Sequence, residues 1–390
     1  MTQREINEIK RRLTLERNNI SRVYGCFINK NKEKISTIDA SLGIISHTET
    51  EQYLSLFKKT LSGHTGRNLI DIELATDFVT NSDEHRLLMR NLDTAFEDEE
   101  ARNKLFDTII DGLTLEDSNY VVLLCLDKYD VPTRTSDALE GGEKESDTIF
   151  TYMICCVCPV NEGKTALGYV PADKEFHSCT SPQIIGKPEM GFMFPSFDDR
   201  RSNIYNALLY TKDIANLHSG FIGTLFKTEP PMSAPEQKQT FSQVLAEVLE
   251  KDLSFDVVQS VHEQVREMVE EHNEQKKHEP LDFTANDVAV ILKGNGIAEE
   301  KVEEFKSKCT ESFGNSPSLN PTNIIDIKKF EVATPQVKIT VDPEYTYTLE
   351  TKVIEGVKYI LIPAEDGVTI NGVNVNIERE SEQADKAEEE

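Results

Sequence analysis

The stretch FPSFDDRRSN at 194–203 holds the densest set of side chains able to do chemistry. Asp198 and Asp199 could bind a hard cation or act as a base. Arg200 could hold a phosphate or carboxylate, with Asn203 and the more distant His177 as further polar groups. The simpler reading is structural: adjacent carboxylates on an extended chain point apart, and Asp199 is placed to cap a helix beginning near Ser202. No G-x-S-x-G occurs, and no Ser/His/Asp or Cys/His set can be assembled from sequence order, so no catalytic residue is assigned.

Other motifs fail on spacing. NEGKT at 161–165 follows an apolar run, as a phosphate loop would, but Cys158 stands where the first glycine should be. The following ALGYVPAD cannot make the required helix, so a hairpin turn is expected. Cys155 and Cys158 form a C-x-x-C inside MICCVC; in a strand, residues three apart point to opposite faces, so the sulfurs diverge and buried thiols are expected. VHEQVREM places His262 and Glu263 as a zinc-protease helix would, but Arg266 replaces the second histidine, leaving a solvated helix face. GNGIAE at 294–299 reads as a turn between helices, and SGHTGRN at 62–68 as a helix stop. No cofactor and no metal is called for.

The elements that must position these residues follow from periodicity. Ile6, Ile9 and Leu13 predict an amphipathic helix over 3–13, and Tyr53, Leu54, Phe57 and Leu61 another over 49–61. Val23–Ile28 and Ile35–Ile38 predict paired strands, and residues 68–75 a third strand. Asn81 with Glu84 suggests a capping box for a helix to Ala95, followed by a helix over 98–113. YVVLLCL (120–126) and IFTYMICCVC (149–158) read as buried strands, with an acidic loop, DALEGGEKESD, between them. Residues 166–201 read as loop-rich, and a helical run is expected from Ser202 to Phe226. Pro230 and Pro231 break the chain before four amphipathic helices (235–251, 254–277, 284–293 and 298–313), the first capped by Ser233 and Glu236. From Pro335, alternation and the Glu355-Gly356 and Asn371-Gly372 turns predict antiparallel strands.

The fold class is therefore α+β. A mixed α/β domain is expected over 1–228, a helical segment over 229–318, a small antiparallel β-meander over 319–377 and an acidic disordered tail over 378–390. The chain has 390 residues, enough for two or three domains, and no apolar run approaches the roughly 20 residues needed to span a bilayer. Seven cysteines in a chain this long make no disulfide framework and point to a reducing, cytoplasmic setting. A net charge of -27 repels nucleic acid and anionic membrane over most of the surface.

The first 34 residues run against that balance, with nine Lys and Arg against four acids, whereas 83–147 holds eighteen acids against seven bases. Lys10, Arg11, Arg12, Arg17 and Arg22 form a basic segment, expected to dock on the acidic region through its apolar stripe. The competing readings are an anionic partner, such as RNA, DNA or a membrane surface, and an exposed helix with scattered charges. On the docking reading, replacing Ile9 and Leu13 with Ser should destabilise the fold, and replacing Arg11 and Arg12 with Gln should scarcely do so.

Taken together, IKRRLTLERNNISRVYGCFIN, KKTLSGHTGRNLIDIE, YDVP, GFMFPSFDDRRSNIYNALLYTKD, EQKQTFSQVLAEVLE and GVKYILIP resemble an uncharacterised Gram-positive bacterial family, domain-of-unknown-function family forty-three seventeen. The resemblance runs from residue 4 to about 377 and implies a cytoplasmic bacterial protein; it brings no activity, cofactor or site residue. The expected function is a non-catalytic protein that binds a macromolecular partner, a protein being favoured. The alternative is an enzyme acting on a phosphorylated or anionic small molecule around Asp198, Asp199, Arg200, Asn203 and His177.

Overall fold

The structure is a computed structural model that describes residues 1–114, 118–132, 148–275, 281, 283–314, 319–364, 367–370 and 372–375. The expected acidic tail lies outside these residues, and so does the acidic loop DALEGGEKESD. The chain divides into two compact units near residue 240.

The first unit alternates short helices and strands: α1 (Gln3–Arg12), β1 (Arg22–Ile28), β2 (Lys34–Ser41), α2 (His47–Thr60), β3 (Leu69–Glu73), α3 (Thr76–Asn81), α4 (Asp83–Asp93), α5 (Glu99–Gly112) and β4 (Asn119–Asp130). There follow β5 (Ile149–Asn161), β6 (Thr165–Val170), β7 (Glu175–Thr180), β8 (Ile184–Ile185), β9 (Met190–Phe194), β10 (Ser196–Asp198), β11 (Arg201–Asn203), β12 (Asn206–Thr211) and α6 (Ser219–Phe226). An antiparallel sheet in the order β2-β1-β4-β5-β9-β12-β3, with β8 on the end of β5, forms the middle layer. Helices α3 to α6 cover one face and α1 with α2 the other.

Burial on both faces explains why the central strands are apolar throughout rather than alternating. Along β5, Met153, Cys155 and Val157 enter one core, and Tyr152, Ile154, Cys156 and Cys158 the other. At Gly191 of β9 an added Cβ would fall on the Cys155 carbonyl oxygen and the Thr60 methyl group, so the centre of the sheet admits only glycine there.

Three local readings are corrected. Residues 166–201 hold strands β6 to β10, with the prolines confined to the connections, and so are not loop-rich. The run after Ser202 is the strand β12, in which Leu209 faces one core and Leu208 and Tyr210 the other; helix begins only at Ser219. Ser82, not Asn81, caps α4: its backbone is extended and its Oγ accepts from the His85 N–H at 3.0 Å.

In the second unit, α7 (Ala234–Leu249), α8 (Phe255–Glu274), α9 (Ala285–Gly294), α10 (Glu299–Phe313) and α11 (Pro321–Ile324) enclose a core containing Phe241, Val265, Phe283, Val288, Val302 and Phe305. The Ser233 cap is present: the Glu236 N–H donates to Ser233 Oγ at 3.4 Å, and the Ser233 N–H donates to the Glu236 carboxylate at 2.8 Å. GNG joins α9 to α10, with Gly296 at positive φ (79°). The C-terminal strands are antiparallel. They are β13 (Phe330–Ala333) with β14 (Lys338–Val341), β15 (Glu350–Ile354) with β16 (Val357–Leu361), and β17 (Val368–Ile370) with β18 (Val373–Val375). Among the described residues each ladder stays within its own hairpin.

Candidate functional site

FPSFDDRRSN folds as a tight hairpin, not as a helix cap. Asp198 pairs with Arg201, leaving Asp199 and Arg200 as the two turn residues, both at positive φ (47° and 60°). That is the type I′ geometry, whose twist matches the flanking strands, so no helix starts at Ser202 for Asp199 to cap. Asp199 is exposed.

The turn fixes where the neighbouring groups point. The Asp198 carboxylate accepts from Ser196 Oγ at 2.6 Å and Asn203 Nδ2 at 2.8 Å, and pairs with the Met1 ammonium at 2.9 Å. Burial pushes this carboxyl up, but those donors outweigh it and hold it below the ordinary range. The same ammonium lies 3.2 Å from Asp71, whose carboxyl burial raises in spite of that charge. Arg200 donates through Nη1 to both Glu8 oxygens at 2.6 Å and through Nη2 to the Pro132 carbonyl at 2.9 Å.

A second ion pair adjoins the first through Glu8. Tyr129 Oη donates to Glu8 at 2.6 Å, and the Arg12 guanidinium lies 4.4 Å above the Tyr129 ring. Arg12 Nε donates to Asp127 at 3.0 Å; Tyr152 Oη donates to the same carboxylate at 2.7 Å and the Asn19 N–H at 2.8 Å. Asp127 is only 1 % exposed, and these donors satisfy its buried oxygens. Burial and the Asp127 charge push the Tyr152 hydroxyl well above its usual value; burial and Glu8 take Tyr129 to about 12. For Arg12, burial alone would lower the pKa, and Asp127 more than reverses that.

Of the residues singled out in the sequence, the fold thus brings Asp198, Arg200, Asn203 and Arg12 into one polar cluster. Sequence reasoning missed Glu8, Asp71, Asp127, Tyr129 and Tyr152. The signal for Asp127 was present: a carboxylate directly following an apolar strand run has to be paired. His177 stands apart on β7, half exposed, with Nε2 3.6 Å from Asp173 and 4.0 Å from Glu175; no hydrogen bond or ion pair links it to Asp198 or Arg200. The basic segment is dispersed. Arg22 pairs with Asp39 at 2.7 Å, Arg11 and Arg17 are exposed, and burial with the nearby Lys58 and Lys59 lowers the Lys10 pKa. Arg12 departs from the expectation that its charge scarcely matters, because its partner is a buried carboxylate rather than a solvated one.

The remaining motifs resolve structurally. Cys155 and Cys158 lie in opposite cores; Cys156 and Cys158 share a face with their sulfurs 4.0 Å apart, and burial pushes the Cys125, Cys155 and Cys156 thiols up. Residues 162–164 of NEGKT connect β5 to β6, strands of different sheets, rather than closing a hairpin. His262 is buried, not solvated: its Nε2 lies 2.9 Å from the Asp326 carbonyl oxygen and its ring stands edge-on to Phe330. Among the described residues no group of three His, Cys, Asp or Glu is placed to hold a metal ion, and no helix is long and apolar enough to cross a membrane.

The chemistry available to the cluster is limited by its own pairing. Arg12 and Arg200 are each bound to a carboxylate, and Asp198 to an ammonium and two neutral donors, so the arrangement fastens α1 and the β10–β11 hairpin to the sheet. No curated protein matches the chain. The model of a family described as a domain of unknown function (DUF4317) matches residues 1–373, more than nine-tenths of the sequence, and the chain belongs to that family.

Proposed function

We propose that this protein is a non-catalytic cytoplasmic protein that binds another protein through the hairpin of β6 and β7. The observation that carries this reading is the composition of one hairpin face. Cross-strand pairing puts Thr165 with Thr180, Leu167 with Ser178 and Tyr169 with Phe176 on that face, and none of the six is charged. Leu167 is 75 % exposed, Phe176 66 % and Tyr169 53 %. Contiguous apolar surface of this kind on an otherwise highly charged chain is characteristic of an interaction site. The seven unpaired thiols fit a reducing compartment. The alternative enzyme reading requires a cation free to take an anionic substrate, and Arg200 is already engaged by Glu8.

Affinity capture with the tagged chain tests the reading against a Leu167→Ser, Tyr169→Ser, Phe176→Ser variant of unchanged melting temperature. A partner retained by the native chain and lost from the variant is the expected result. Equal capture by both, or no capture at any salt concentration, overturns it.

A further inference from the structure

The hairpin of β15 and β16 is short of strands. Its two turn residues, Glu355 and Gly356, have φ of 50° and 83°, the type I′ turn that joins two strands most tightly. Pairing runs from Glu350 with Leu361 to Ile354 with Val357, and among the described residues neither strand has a second neighbour. All five residues of β15 are exposed, and Val353 and Val357 are apolar. On β16 only Ile360 and Leu361 are half-buried, and a two-stranded hairpin so exposed is marginal in water, whereas a third and fourth strand make such a sheet stable.

We propose that the open edge of β15 pairs with the same edge of a second copy of this chain, giving a four-stranded antiparallel sheet centred on Thr351. The two-residue turn makes Ile354 and Val357 a hydrogen-bonded pair. By alternation Thr351 and Val353 then present N–H and C=O away from β16, ready for another strand. Copies joined edge to edge are related by a two-fold axis perpendicular to the sheet, which keeps each face on its own side. The register is therefore centred on a residue, never between two.

Charge selects which residue. Centring on Glu350 opposes two carboxylates, and centring on Lys352 opposes two ammonium groups. Centring on Val353 runs the ladder into the turn. Centring on Thr351 sets each Glu350 across from Lys352 of the other copy, twice by symmetry, with threonine opposite threonine. The 2.7 Å Glu350–Lys352 contact within one chain is well exposed at both ends, so exchanging it for the cross-strand pair costs little. Residues 350–361 hold two acids and two bases, a neutral patch on a chain of net charge -27, where copies can approach with little repulsion.

Sedimentation of the purified full-length chain over a concentration series tests this without any other partner, so its outcome is separate from that of the capture experiment. Native chain forms dimers. Glu350→Lys and Lys352→Glu each set like charges opposite one another twice and weaken the dimer roughly tenfold, and the double reversal restores it to within about threefold. Thr351→Cys gives a disulfide-linked dimer on mild oxidation, and Lys358→Cys on β16 does not. A native chain that stays monomeric, a dimer indifferent to both reversals, or cross-linking at 358 instead of 351 overturns the proposal. The cysteine variants decide it even if a reversed chain fails to fold.

Discussion

Asp127 is the residue on which the polar contacts of the first unit converge. It takes donors from Arg12, Tyr152 and Asn19, three residues that sequence order keeps far from it, and is almost fully buried. Removing one of those donors leaves a buried carboxylate oxygen without its partner. Asp127→Asn leaves Arg12 without its counter-charge and is expected to cost about 3 kcal/mol in urea denaturation. Arg11→Gln, one residue away on the solvent side of α1, is expected to stay within about 0.5 kcal/mol. The periodicity of α1 separates these two arginines only partly: it sets Arg11 opposite the apolar stripe and Arg12 at its border. What it cannot supply is the strand residue waiting at that border.

At the scale of elements, α1 shows how far periodicity reaches. Its apolar residues Ile6, Ile9 and Leu13 are buried, and a Thr2–Glu5 capping box starts it, as a short amphipathic helix requires. Ile9→Ser opens a cavity and buries a hydroxyl, with an expected loss of about 3 kcal/mol and a lowered melting temperature. Val290→Ser, on an exposed position of α9, is expected to leave the melting temperature nearly unchanged. The two hairpin turns make the complementary point. Glu355-Gly356 announces itself because glycine takes positive φ at no steric cost. Asp199-Arg200 adopts the same turn with no glycine, so the local sequence carries no such signal. The Glu8 and Pro132 contacts of Arg200, from elsewhere in the chain, hold it there.

For the whole molecule, three histidines contribute to the response to acid. Burial lowers the pKa of His85, which lies edge-on to Phe78 and Phe194, and likewise those of His218 and His262. The fold therefore favours the neutral ring, and the unfolded chain binds more protons once pH falls below its ordinary value of 6.5. The contribution of these residues to stability is present above that value and is lost as pH drops through the lowered folded pKa. Denaturant unfolding followed from neutral to mildly acid pH should show this decline, with a shallower slope for His85→Gln; an unchanged slope would refute the assignment.

The sequence by itself determined most helices and strands, the apolar character of both central strands, the divergence of Cys155 and Cys158 into opposite cores and the antiparallel C-terminal hairpins. Each depends on side-chain direction and hydrogen bonding within a few residues, where the spacing of apolar positions is enough. Only the tertiary structure decided the strand order of the sheet, the partner of Arg12, the hairpin that replaced a helix at Ser202 and the burial of His262. These depend on which distant segments meet. The energy of a charge, a turn without glycine or an imidazole changes sign with the donors and the dielectric that those segments bring to it.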